Sequence, residues 1–86
     1  MSRTEELREL ISEYNGREHE LEERFKPGSY GYHEAVDRAS LLVSTCEQFL
    51  LDHPAVIMDE VVYNEVSRVL SKLLGLYQLL ALRHAE

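Results

Sequence analysis

The sequence predicts an all-α protein, an antiparallel helical hairpin over residues 30–52 and 59–84 preceded by an acidic helix over residues 4–25. Three observations carry that prediction. Large apolar residues recur as Tyr32, Val36, Ala39, Val43, Cys46, Phe49 and Leu50, then stop at His53-Pro54. A second series runs Val62, Val66, Val69, Leu70, Leu73, Leu76, Tyr77 and Leu80. Steps of three and four put each series on one helix face, and a short connection between them makes the two helices antiparallel neighbours.

The first segment, residues 2–26, is of a different kind. It holds eight of the sixteen acids and five of the nine bases. Ser2 and Glu5 have the spacing of a capping box, and Glu5, Glu6 and Glu9 suit the positive end of a helix dipole. Leu7, Leu10, Ile11 and Tyr14 form a short stripe, and Asn15-Gly16 is a stop signal. Past it, only Leu21 and Phe25 continue the register. Two readings compete, one long helix strained at Gly16 or two short ones. An interior glycine costs about 1 kcal/mol relative to alanine, so one helix over residues 4–25, kinked or frayed at its middle, is the expectation. With so few apolar anchors, residues 1–26 read as the mobile part of a single domain spanning 1–86.

Lys26-Pro27-Gly28-Ser29 ends that helix, since proline disfavours helix at the residue before it. Ser29 is a candidate N-cap for the second helix, whose polar face carries Glu34, Asp37, Arg38, Ser40, Ser44, Glu47 and Gln48. His53-Pro54 closes it, with His53 expected to cap carbonyls. Residues 55–58 read as an apolar connector and Asp59 as the cap of the third helix. Alternatively Pro54 sits in that helix's own first turn.

The third helix changes character along its length. Asn64, Glu65, Ser67, Arg68, Ser71 and Lys72 give its first half a polar face, whereas residues 73–82 are apolar nearly all round. One partner helix covers roughly a third of a helix circumference. Leu74, Leu79 and Leu82 would stay wet in a lone hairpin, forgoing about 1.5–3 kcal/mol for each leucine not buried. The expectation is therefore a helical-bundle homo-oligomer, most simply a dimer, with Leu73, Leu74, Leu76, Tyr77, Leu79, Leu80 and Leu82 at the interface.

Composition narrows the function. A formal charge of −7 and a pI near 5.0 disfavour nucleic-acid binding, which needs clustered basic residues. The longest dense apolar stretch is about half of the roughly twenty residues a membrane span requires. The acidic N-terminus lacks the apolar core of a signal peptide. A lone cysteine, Cys46, fits a buried small hydrophobe in a reducing compartment. A soluble cytoplasmic protein is the expectation.

No catalytic constellation is present. Ser40 and Ser44 lie away from the apolar face without a nucleophile elbow, and no phosphate-binding glycine loop occurs. Gly28 and Gly31 flank a helix start, where turn chemistry accounts for them. His33, Glu34 and Asp37, beside Tyr32, are the best alternative site, because His33 and Asp37 are one turn apart and could share a proton or a metal. None of the four histidines has the glutamate three positions earlier that dimetal bundles use. His19, between Glu18 and Glu20, reads as solvated. Tyr77, deep in the apolar half, would need a buried hydrogen-bond partner.

The expected function is a non-catalytic protein-interaction or regulatory module, requiring no cofactor. Its partners would be a second copy of itself and another protein docking on Leu7, Leu10, Ile11 and Tyr14. A small ligand- or metal-binding bundle at Tyr32, His33, Glu34 and Asp37 is the alternative.

Overall fold

The computed structural model describes residues 2–85. Among them are five α-helices and no strand: α1 (Arg3–Glu13), α2 (Glu18–Phe25), α3 (Tyr30–Thr45), α4 (Pro54–Ile57) and α5 (Glu60–Ala85). A π-helical segment, Cys46–Leu51, continues α3.

The helix expected over residues 4–25 is two helices. α1 starts where the capping spacing places it, with the Glu5 N–H donating to Ser2 Oγ at 3.2 Å. It ends because Asn15 and Gly16 both take left-handed backbone angles, φ 54° and 75°. The Gly16 N–H then donates to the Ile11 carbonyl, and the Asn15 N–H to that of Ser12. This paired closure satisfies terminal carbonyls that a kinked helix would leave strained. α2 starts at Glu18, after four intervening residues, and buries only Leu21. The two helices touch where the Phe25 ring meets the Tyr14 ring edge-on, 6.4 Å between centroids.

α3 is capped as its sequence requires, the Tyr32 N–H donating to Ser29 Oγ at 3.1 Å. Val36, Ala39 and Cys46 are its buried residues. At Cys46 the hydrogen bonding widens to i→i+5, as in the Asp52 N–H to Glu47 carbonyl bond of 3.2 Å. The wider turn carries one extra residue. It takes Phe49 and Leu50 off the apolar register in which the sequence placed them, and both are exposed.

The expected connector over residues 55–58 is mostly helix: Pro54 opens α4 at its first position, where a missing N–H is harmless. His53 caps amides rather than carbonyls, its Nδ1 accepting the Ala55 N–H at 3.0 Å. Asp59 caps α5 through its Oδ1, which accepts the Val62 N–H at 3.2 Å.

α5 is 26 residues long and pairs most extensively with α3. α2 lies against α3, and α4 against α5, whereas α1 has no extensive pairing with any other element. The first turn of α3 meets the last turn of α5: the Tyr32 ring stacks on His84 at 5.6 Å with 14° between planes. Val66, Leu70, Leu73, Tyr77, Leu80 and Ala81 are the half-buried apolar residues of α5. The core proper is only Leu21, Val36, Ala39, Cys46 and Val56, and no large side chain is completely buried. The Cα radius of gyration is 17.0 Å, against about 12 Å for a compact chain of this length. Among the described residues, no helix is long and apolar enough to cross a membrane.

Candidate functional site

Polar chemistry gathers in two places. At the junction of α3 and α5, His33 Nε2 lies 3.4 Å from Asp37 Oδ2, and the His33 and His84 rings are 5.5 Å apart. Glu34, the third member expected there, turns away and pairs with Arg38 at 3.4 Å. Among the described residues no three His, Cys, Asp or Glu side chains converge in a way that could hold a metal ion. Tyr32 is committed to its stack on His84.

The second place is a shallow cleft of about 630 Å³ between α2 and α3, lined by Glu23, Arg24, Phe25, Tyr30, Glu34 and Arg38 among others. Its acids and bases balance, and Glu34 and Arg38 neutralise each other. Such a cleft favours no charge of ligand.

The apolar surface is far larger. On α5, the rows Val66–Leu73–Leu80 and Leu70–Tyr77 are half-buried, toward α3. The neighbouring row, Val62, Val69 and Leu76, has the same seven-residue spacing yet stays 41%, 52% and 46% exposed. Rows one step apart around a helix face different neighbours, so a single partner helix leaves this one uncovered. On α3, Leu42 and Phe49 are likewise open. Between the helices runs an open groove of about 220 Å³ lined by Cys46, Leu50, Val61, Val62, Val66 and Val69, with Glu65 at its edge. The buried Cys46 thiol forms part of this groove's floor.

Of the residues expected at an oligomer interface, Leu73, Tyr77 and Leu80 are half-buried within the chain, while Leu74, Leu76, Leu79 and Leu82 are exposed. α1 does not cover them. No buried side-chain polar atom among the described residues lacks a partner, so the half-buried Tyr77 hydroxyl needs no internal acceptor. Leu7 and Leu10 of the α1 stripe are exposed, and Ile11 and Tyr14 half-buried.

Sequence reasoning put Val62, Val69 and Leu76 into the seam with α3. Their signal was available in the seven-residue spacing: the apolar sector of α5 is wider than one partner helix can use. The surface consequence is measurable. The chain exposes 6869 Å², whereas a compact monomer of 10.0 kDa exposes about 5,200 Å². No protein-family model matches the chain, and no curated protein or solved structure is similar to it.

Proposed function

We propose that this protein is a non-catalytic helical interaction module that works as a homo-oligomer, with α3 and α5 serving as an antiparallel hairpin, half of a four-helix bundle. One observation carries the reading: the chain exposes roughly 1,600 Å² more than a compact monomer of its mass, and large apolar side chains of α3 and α5 are among the exposed residues. A stable protein interface needs about 800 Å² from each partner. Patches of exposed apolar surface on this scale mark places where another protein sits. α1, with its stripe of Leu7, Leu10, Ile11 and Tyr14, is the element left to engage a different partner.

The test is native mass spectrometry of untagged protein across a concentration series, alongside sedimentation velocity. A dimer or small even oligomer is expected. A monomer at every concentration would remove the reading.

A further inference from the structure

The open face of α5 has an internal symmetry. Its apolar row reads Val62, Val69, Leu76, so Val69 lies seven residues from an apolar side chain on either side. The flanking row reads Met58, Glu65, Lys72, Leu79: apolar, acid, base, apolar. Met58, just before the helix, and Leu79 are both exposed. Glu65 and Lys72 stand four and three residues from Val69, on opposite sides of it. Reversing the helix direction about Val69 therefore exchanges Glu65 with Lys72 and Val62 with Leu76.

The facing helix adds apolar surface of its own. Cys46 lines the same groove as Val62 and Val69. Leu41 and Leu42 of α3, and Phe49 and Leu50 of the π-helical segment that continues it, are exposed.

We infer that this face is closed by a second copy of the chain, docked antiparallel about a twofold axis passing beside Val69. The inference rests on the homo-oligomer reading and names its interface. In the assembly, Val69 meets Val69 of the partner subunit, and Val62 meets Leu76 of the partner subunit. Glu65 pairs with Lys72 of the partner subunit, and the symmetry makes that pair twice. Such isologous matching is what a twofold interface demands. Antiparallel α5 helices flanked by antiparallel α3 helices make an all-antiparallel four-helix bundle. Lys72 has no ion pair within the described residues of its own chain, and Glu65 has only the exposed Arg68. A partner of one dominant charge would not match a rim carrying one acid and one base at symmetric places; a second copy does.

The experiment is a charge-swap cycle read by sedimentation velocity over a concentration series, with circular dichroism as the folding control. Glu65→Lys and Lys72→Glu each convert two attractions into two repulsions. Each should weaken the dimer about tenfold. The double swap should restore wild-type assembly. Val69→Asp, at a half-exposed position, should give a helical monomer, while Leu82→Asp, away from the axis, should leave the dimer intact. If Val69→Asp fails to fold, the swap cycle alone decides. A wild-type dimer that ignores Val69→Asp, or a double swap no better than the singles, overturns this interface and leaves the homo-oligomer reading standing. A monomeric wild type overturns both.

Discussion

His84 holds the Gly28 backbone N–H at 3.0 Å through its Nδ1, joining the last turn of α5 to the loop that launches α3. The same ring stacks on Tyr32. Gly28 is in the left-handed region, φ 91°, which glycine adopts without a steric penalty. One side chain thus ties the last turn of α5 to both the loop before α3 and its first turn. His84→Ala should cost about 1–2 kcal/mol, the sum of a modest hydrogen bond and an aromatic contact. Urea titration followed by circular dichroism measures it. His84→Phe, which keeps the stack and loses the acceptor, should recover roughly half. A loss below about 0.3 kcal/mol for the alanine variant would mean that this junction contributes nothing to stability.

Two helical glycines should respond to alanine in opposite directions. A Cβ on Gly31 would fall 2.4 Å from Phe25 Cδ1 and 2.5 Å from the Arg24 carbonyl oxygen. The ring could swing aside, but the backbone oxygen cannot without moving the end of α2. Gly31→Ala should therefore destabilise by about 1–3 kcal/mol, as overpacking does. At Gly75 a Cβ meets nothing within 4 Å. Gly75→Ala should stabilise by up to about 1 kcal/mol through helix propensity alone. Thermal melts of the two variants side by side are the check, and equal effects would refute the close approach of α2 to α3.

The contrast between these glycines shows what sequence could and could not convey. Helix starts were legible, because Ser2, Ser29 and Asp59 announce themselves through local chemistry, and each side chain does accept an amide. The break at Asn15-Gly16 is legible as a stop signal, but not its strength. Propensity alone understates the carbonyl closure that two left-handed residues provide together. The π-helical turn at Cys46–Leu51 had no local signature, and it is what moves Phe49 out of the seam. Close approach of Phe25 to Gly31 is tertiary, so Gly31 looked like ordinary turn chemistry. The expected cluster at His33 dissolves for a similar reason: Glu34 had an equally near partner in Arg38 one turn on.

Identical capping chemistry should have unequal consequences at Ser2 and Ser29. Ser29 caps the helix that carries most of the core, so Ser29→Ala should lower global stability by about 1 kcal/mol. Ser2 caps α1, which has no buried residue and no extensive pairing. Its replacement by alanine should fray α1 and leave the global unfolding midpoint unchanged. Hydrogen exchange resolved by residue would show this as faster exchange confined to α1. Leu10→Asp with Ile11→Asp should behave in the same way, losing a hetero-partner but neither the fold nor the self-assembly. Loss of either one would place the α1 stripe in the chain's own core.

Cys46 offers an internal reporter on whether the fold is complete within one chain. The thiol is buried on the floor of an open apolar groove, so reagents reach it only when the structure opens. Its reaction with a disulfide reagent such as DTNB should be roughly 100-fold slower in native buffer than in denaturant. Association adds to the stability of whatever state associates, by mass action. Protection at Cys46 should therefore rise with protein concentration, and Val69→Asp should abolish that dependence while retaining some protection. A thiol protected equally at all concentrations would mean that α3 and α5 close the core unaided. A thiol that reacts at the denatured rate at every concentration would mean that the groove floor is open to solvent.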